Sequence, residues 1–200
     1  KQAKALIVPN EFDKIYTAAG ASGMNATTTQ DFTLYYITVP ANKLELWFWM
    51  ESDRLKNPVS REFYTERNVI AEERRAGIEN DPDGKMSEML LAAAWKDGPY
   101  SWPTIGSEKD VLGLTIDDAR AFHAKHYVPG NMVGVIVGDL DPGQARAILE
   151  RTFGRYRARA VPPGPGSVGN NRGGETESFA FKAEPSIAVA WHKPTLPDPD

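Results

Sequence analysis

The chain has 200 residues, of which 41% are hydrophobic and 25% are charged, and these proportions are ordinary for a globular protein with a sizeable core. The net charge of -4 provides no basic surface for binding nucleic acid or an anionic membrane. No apolar run is long enough to span a bilayer, and the absence of cysteine excludes disulfides and thiolate metal sites.

The first part of the sequence predicts a helix followed by two strands. Asn10 is a good N-cap residue, and the apolar spacing after it predicts a helix that ends near Gly20. Residues 25–29 and 32–39 are rich in threonine, aromatic and β-branched residues, which favour strands. Pro40 closes the second strand.

Two helices are predicted next, over residues 41–55 and 60–80. The first carries an apolar stripe, and the Asn-Pro pair at 57–58 stops it. The second is long and highly charged. The Asp-Pro-Asp-Gly segment at 81–84 interrupts it, and helix resumes over residues 86–95.

The second half of the sequence again mixes helices and strands. Residues 115–118 read as an N-cap region for a helix that runs to about Tyr127. The apolar run 132–138 predicts a buried strand. Asp141 precedes a further helix, and Gly154 ends that helix.

The last forty residues predict a flexible loop and a pair of strands. Residues 161–174 are rich in Pro, Gly and Asn, which is typical of a flexible loop. Residues 179–181 and 187–191 favour the strand pair. Helices and strands do not alternate regularly along the chain, so the pattern predicts an α+β fold with helices on one face of a mostly antiparallel sheet.

Glu66 and Glu73 are the strongest candidate site residues. They are two helical turns apart on the helix predicted at 60–80, so both carboxylates point to the same side. Carboxylates on the partly apolar side of a helix are costly unless a cation meets them, and a metal ion or an arginine satisfies that need. On residue types alone, a solvated helix face laced with Arg67, Arg74 and Arg75 is the favoured alternative.

Two other patterns are weaker candidates. His123 and His126 have the i, i+3 spacing of metal ligands on a helix, but no carboxylate or cysteine cluster accompanies them in sequence. Surface or core-edge histidines are therefore the favoured interpretation. The Gly-rich stretch 164–174 follows no strand and lacks P-loop spacing, which argues against phosphate binding.

The run from Glu66 to Glu73, ERNVIAEE, resembles the downstream zinc-ligand helix of the insulinase/pitrilysin family, the inverzincin metallopeptidases to which the mitochondrial processing peptidases belong. Four further segments agree with that family in order and spacing, and they lie at residues 20–36, 82–84, 127–132 and 137–141. The resemblance implies the half-domain fold of the family, an antiparallel sheet with helices on one face. It also implies metal-assisted hydrolysis of peptide bonds by Zn2+.

The resemblance assigns a role to each matching residue. Glu73 corresponds to the third zinc ligand, and Glu66 corresponds to a supporting acid near the metal. Asn25, Ala26 and Thr27 correspond to the edge strand, whose backbone binds an extended peptide as an added strand. Without the resemblance, residues 22–29 are simply one side of a hairpin in an α+β fold.

One departure from the family pattern concerns its defining H-x-x-E-H motif, which supplies two histidine ligands and the general-base glutamate. None of the three histidines lies in such a motif. The family places the motif just before the segment that resembles Lys1 to Tyr16, and it continues beyond residues 187–191. We therefore expect residues 1–200 to be a single incomplete peptidase half-domain, which alone binds no zinc and is inactive.

Several partners and alternatives follow from the resemblance. The expected partners are a peptide or unfolded protein substrate and a second half-domain, in the same chain or a separate subunit. Self-association through a sheet edge is a further expectation, and the bacterial periplasm is the expected compartment. The main alternative is a non-catalytic homologue that serves as a partner subunit or scaffold. An unrelated α+β binding domain would require every ordered match to be accidental.

Overall fold

A short helix and a β-hairpin open the described part of the chain, which comprises residues 10–164 and 173–193 of a computed structural model. The strands are β1 (Ser22–Thr28) and β2 (Thr33–Thr38), and they pair antiparallel. Seven α-helices lie within these residues: α1 (Glu11–Ala18), α2 (Leu44–Lys56), α3 (Phe63–Arg74), α4 (Pro82–Ala94), α5 (Glu108–Gly113), α6 (Ile116–His126) and α7 (Pro142–Thr152). The predicted α+β class is confirmed.

The described residues fall into two compact units. The first unit comprises the described residues of Lys1–Val59 and Phe122–Pro162. The second comprises the described residues of Ser60–Ala121 and Pro163–Asp200. Among the described helices, none is long and apolar enough to cross a membrane. Most of the predicted loop at 161–174, residues 165–172, lies outside the described residues.

The core of the first unit lies between α2 and α7. The apolar stripe predicted on α2 buries Phe48 against Ala145 and Ile148 of α7, and Trp47 packs beside them. Phe48 and Phe153 add an edge-to-face aromatic contact with ring centroids 6.2 Å apart. The sequence stripe therefore identified the buried face of α2 correctly.

The second unit is built around the C-terminal end of α3. Residues 60–80 do not form the single helix that was predicted: α3 ends at Arg74, and Arg75–Glu79 form a π-helical turn. Ile78 and Val111 are buried in this unit. Helix α5, which the sequence analysis did not predict, carries Val111.

Side-chain caps begin three of the helices where the sequence indicated a start or a break. Asp81 accepts a hydrogen bond of 2.8 Å from Gly84 N, so α4 begins at Pro82 and not at Met86 as predicted. Asp141 accepts a hydrogen bond of 2.6 Å from Gln144 N at the start of α7. Before α6, the side chains of Thr115 and Asp118 each bond the other residue's backbone N–H. The predicted cap at Asn10 is wrong: the residue has a φ of 54° and its side chain caps no N–H.

The later strand predictions are wrong for the described residues. No strand is formed at 132–138, at 179–181 or at 187–191. The apolar side chains there are open to solvent: Val133 and Val137 are each 92% exposed, and Ile187 is 90% exposed. A strand requires a neighbour that accepts and donates its ladder hydrogen bonds. The described chain pairs no partner with these segments, so apolar composition alone did not produce a strand.

Candidate active site

Helix α3 presents two free carboxylates. Glu66 and Glu73 are both exposed, and the seven-residue interval places them two turns apart on one side of the helix. Among the residues that the structure describes, neither carboxylate has a hydrogen bond or an ion pair. Val69 and Ile70 between them are 44% and 38% exposed, so the apolar side chains on this part of the helix are not buried.

The arginines near these carboxylates are held by other groups. Arg67 Nη1 donates a hydrogen bond of 3.1 Å to Leu114 O, and its guanidinium lies 5.0 Å from the Tyr64 ring centroid. Arg75 Nη1 bonds Glu72 Oε1 at 2.6 Å. In the described part of the chain none of these three arginines pairs with Glu66 or Glu73, while the helix face that carries the two carboxylates is solvent-exposed, as the alternative of a solvated face expects.

Arg74 fixes the end of α3 from inside the second unit. Its side chain is 8% exposed, and it donates hydrogen bonds of 2.6 Å to Gly106 O and 2.5 Å to Glu88 Oε1. Glu88 also pairs with Lys85 at 2.8 Å. Burial alone would raise the pKa of Glu88, but its bonds to Lys85 and Arg74 outweigh burial and lower that pKa. This network ties α3 to α4 directly beside Glu73.

The break after α3 depends on Gly84. A Cβ at this position would lie 1.8 Å from Gly77 O of the π-helical turn. Only glycine allows the first turn of α4 to approach that carbonyl so closely. The Pro82 to Gly84 segment therefore acts both as a helix start and as a packing surface against the turn that follows Glu73.

Asn25, Ala26 and Thr27 lie in β1 of the first unit and are exposed. They pair with Tyr36, Tyr35 and Leu34 of β2, respectively. The described sheet has two strands, so the other edge of β1 has no neighbouring strand within it. Asn25 Oδ1 accepts a hydrogen bond of 2.8 Å from Ala26 N, so the Asn25 side chain already occupies this backbone N–H of β1. Strand addition uses a sheet edge that has no neighbouring strand, as here.

The histidines are engaged in aromatic contacts. His123 stacks on Tyr127 with ring centroids 4.7 Å apart, and His126 stacks on Phe122 at 4.5 Å. Burial, aided by the positive charge of Arg54, lowers the pKa of His123. Within residues 10–164 and 173–193, no group of three or more His, Cys, Asp or Glu side chains is placed to hold a metal ion.

The structure thus distributes the candidate residues over both units. Glu66 and Glu73 share one helix of the second unit, and Asn25, Ala26 and Thr27 share one strand of the first. The side chains of Tyr35, Arg54 and Tyr127 meet at strand β2, and the sequence did not indicate this contact. Tyr35 and Tyr127 are 92 residues apart, so no local pattern could have paired them.

Comparison with known proteins assigns the chain to a family. The family model described as Insulinase (Peptidase family M16) matches residues 8–108. A second model, described as Peptidase M16 inactive domain, matches residues 113–200. The chain belongs to the insulinase family of peptidases, peptidase family M16, which confirms the resemblance carried by the Glu66 to Glu73 helix.

Named relatives are described as zinc proteases. Zinc protease PqqE of Helicobacter pylori is 33% identical over 145 residues, which cover 72% of this chain and 32% of that protein. An uncharacterized zinc protease of Mycobacterium leprae is 32% identical over 155 residues, which cover 76% of this chain and 35% of that protein. The chain therefore spans about a third of the length of these curated relatives.

Solved structures share the fold. A protease from Helicobacter pylori matches with a TM-score of 0.71 and 30% identity, over 76% of this chain and 38% of that one. The first half of the periplasmic protease PqqL from Escherichia coli matches with a TM-score of 0.61 and 24% identity, over 71% of this chain and 31% of that one. At 24% identity the second likeness concerns the fold alone.

Proposed function

We propose that the full-length protein is a zinc metalloendopeptidase in which Glu73 is one of the zinc ligands. The observation that carries this proposal is that Glu66 and Glu73 are exposed and unpartnered among the described residues, while Arg67, Arg74 and Arg75 bond other groups. An exposed carboxylate that no nearby cation neutralises is available to a metal ion. Membership of a peptidase family whose named relatives are zinc proteases supports this assignment.

The residues present fit one carboxylate ligand of a zinc site, but not a complete site. A catalytic zinc ion takes three protein ligands and keeps a further position for water. The described residues supply no cluster of three. We propose that two histidines of an H-x-x-E-H motif, in the part of the full-length protein that precedes residues 1–200 of this incomplete half-domain, complete the set. The chain by itself is therefore expected to bind no zinc and to be inactive.

Each candidate residue has a distinct task in this proposal. A zinc ion held with Glu73 as one ligand would supply a bound water of lowered pKa and a positive charge that polarises the peptide carbonyl. Glu73 contributes the negative charge of a carboxylate ligand, and Glu66 orients the groups around it from two turns earlier on α3. The Arg74 network holds the end of α3 so that Glu73 keeps its direction.

The substrate is proposed to be an extended peptide or a segment of unfolded protein. It adds to the free edge of β1, where the backbone groups of Asn25, Ala26 and Thr27 bond its main chain. Peptide binding then displaces the Asn25 side chain from Ala26 N. Main-chain recognition places few demands on the substrate sequence, because every residue except proline offers the same donor and acceptor.

The experiment compares Glu73→Gln with Glu72→Gln in the full-length protein. Gln keeps the size of the side chain but removes its charge, so we expect Glu73→Gln to lose stoichiometric zinc and at least about a hundredfold in peptide cleavage. Glu72 is the matched control, since it is adjacent, exposed and already paired with Arg75. Metal analysis and a peptide cleavage assay give the two readings. Equal zinc content in wild type and Glu73→Gln would refute the ligand assignment.

A non-catalytic homologue that acts as a partner subunit or scaffold is the second candidate. The observation that raises this alternative is the match of residues 113–200 to the model described as Peptidase M16 inactive domain. The sequence of the full-length protein separates the two candidates, because the enzyme requires H-x-x-E-H and a scaffold does not. A full-length protein that lacks the motif and cleaves no peptide would exclude the peptidase and leave the second candidate.

The compartment and the partner half-domain are part of the same proposal. PqqL of Escherichia coli is described as a periplasmic protease, and we propose the bacterial periplasm for this protein as well. We also propose a second half-domain of the family as its structural partner, in the same chain or as a separate subunit. Cell fractionation tests the compartment, and recovery of the full-length protein only in the cytoplasmic fraction would contradict it.

A further inference from the structure

Three side chains from separate parts of the first unit, those of Tyr35, Arg54 and Tyr127, meet at strand β2, and we call them the Tyr35 anchor. The hydroxyl groups of Tyr35 and Tyr127 share a hydrogen bond of 2.6 Å. The guanidinium carbon of Arg54 lies 4.5 Å from the centroid of the Tyr35 ring. Tyr35 of β2 is thus bonded at its hydroxyl and covered by a cation on its face.

The Tyr35 anchor is itself fixed by the helices. Arg54 Nε bonds Glu51 Oε2 at 3.0 Å within α2. Glu51 Oε1 accepts a hydrogen bond of 3.0 Å from Tyr16, which is fully buried in α1. Burial and the bond to Tyr35 raise the pKa of Tyr127 above its usual range, so this hydroxyl stays protonated further into the alkaline range than that of a free tyrosine.

The register of the hairpin connects the Tyr35 anchor to the strand edge. Tyr35 is the cross-strand partner of Ala26, the central residue of the three proposed to bind substrate. Between Ser22 and Asn25 the pairing shifts, so regular pairing begins at Asn25 and continues to Thr28. The Tyr35 anchor therefore acts at the middle of the regular part of β1.

We propose that Tyr127 and Arg54 are positioning residues that hold the β1 edge, through Tyr35, in the geometry that an added peptide strand requires. This inference rests on the proposed function. A two-stranded hairpin is marginally stable by itself, so the edge needs support from outside the sheet. When the edge is already ordered before binding, less conformational entropy is lost on binding, so the substrate binds more tightly.

The test compares Tyr127→Phe with Tyr36→Phe in the full-length protein. Both variants remove one tyrosine hydroxyl, but Tyr36 is exposed and its hydroxyl has no partner among the described residues. For an unstructured fluorogenic peptide we expect Tyr127→Phe to raise KM roughly threefold to tenfold, with kcat within about twofold of wild type. We expect Tyr36→Phe to change neither constant by more than about twofold.

Hydrogen exchange provides a reading that does not depend on turnover. Amides of residues 22–38 should exchange faster in Tyr127→Phe than in wild type, and Tyr36→Phe should match wild type. An unchanged KM in Tyr127→Phe would overturn the proposal. A fall in kcat together with faster exchange throughout the protein would also overturn it, because that result indicates general destabilisation.

The design separates failure of this inference from failure of the proposed function. If the wild-type protein cleaves no peptide, the proposed activity fails, and the dissociation constant of a fluorescently labelled peptide replaces KM. A rise in that constant for Tyr127→Phe alone, with faster hairpin exchange, supports the positioning role without any catalysis. A wild-type protein that neither cleaves nor binds the peptide overturns both proposals.

Discussion

Glu73 and Arg74 are neighbours in sequence, yet their side chains occupy opposite environments. Glu73 is exposed, whereas Arg74 is buried and bonds Glu88 and Gly106 O. Successive residues of an α-helix point about 100° apart, so one can face the interior while the next faces out. A buried arginine is expensive unless it is paired, and its pairing with Glu88 leaves the Glu73 carboxylate free. In the proposed site, fold stability and metal binding therefore depend on two adjacent residues that do not compete with each other.

His123 gives the first prediction, which concerns pH. Its burial, with the nearby charges of Arg54 and Arg159, favours the neutral imidazole and lowers its pKa below the value in the unfolded chain, about 6.5. The unfolded state therefore binds more protons than the folded state as the pH falls through this range. The contribution of His123 to stability is present above about pH 6.5 and is lost as the pH falls towards its folded pKa.

NMR titration of the imidazole signals measures this effect. We expect the pKa of His123 to lie below that of an unstructured histidine, and Arg54→Gln to raise it by removing a nearby positive charge. Arg151→Gln is the control, because Arg151 pairs with Glu45 and does not contribute to the shift at His123. A His123 pKa at or above 6.5 in the wild-type protein would contradict the expected direction.

At the scale of the elements, the end of α3 shows what local signals omit. Apart from Gly77, helix-forming residues continue through Glu79, and the sequence predicted a helix to Asn80. The structure instead changes to a π-helical turn at Arg75. The local signal was misleading because the change accompanies contacts from elsewhere, namely Arg74 to Glu88 and the close approach of Gly84 to Gly77 O. π-Helical turns are rare, and they often lie at functional sites.

Gly84 gives the second prediction. Gly84→Ala would place a methyl group 1.8 Å from a backbone oxygen that cannot rotate away, so we expect it to destabilise the protein by about 2 kcal/mol. Gly77→Ala is the matched control from the facing turn, since its Cβ would have nothing within 4 Å. We expect that variant to be within about 0.5 kcal/mol of wild type or more stable. Urea denaturation measures both, and equal midpoints would disprove the packing role.

The hairpin shows the opposite case, in which local composition was sufficient. Threonine and aromatic residues predicted both strands, and β1 and β2 form within three residues of the expected bounds. A hairpin finds its partner strand next to it in sequence, so its hydrogen bonds need no distant segment. The runs at 132–138 and 187–191 have equally strong strand composition, but a strand there requires a distant neighbour.

At the scale of the whole molecule, these apolar runs give the third prediction. Val133 and Val137 are each 92% exposed, and residues of high strand propensity in this state tend to pair with other chains. We expect residues 1–200, expressed alone, to self-associate as concentration rises. The double change Val133→Glu with Val137→Glu should suppress association, because charge opposes strand pairing between chains.

Sedimentation velocity over a range of concentrations measures this association. Val59→Glu is the control, because Val59 is an isolated exposed valine that follows Pro58 in the segment between helices α2 and α3. It should leave association unchanged. A wild-type chain that sediments as a monomer at every concentration would rule out the prediction.

The family assignment and part of the proposed site were readable from sequence. The spacing of Glu66 and Glu73 placed both on one side of a helix, because a helix repeats every 3.6 residues whatever surrounds it. The sequence did not show that Arg67, Arg74 and Arg75 leave Glu66 and Glu73 without an ion pair. The arginine partners, Leu114 O and Glu88 among them, come from other elements of the structure.

The sequence by itself determined the α+β class, the hairpin, the buried face of α2 and the helix that carries Glu73. These features depend on periodicity, caps and turns, which act over a few residues. Only the tertiary structure decided that α3 stops at Arg74 and that Tyr35, directly opposite Ala26, is held by Arg54 and Tyr127. Such contacts join residues far apart in sequence, and their energy depends on burial and distance that local composition does not encode.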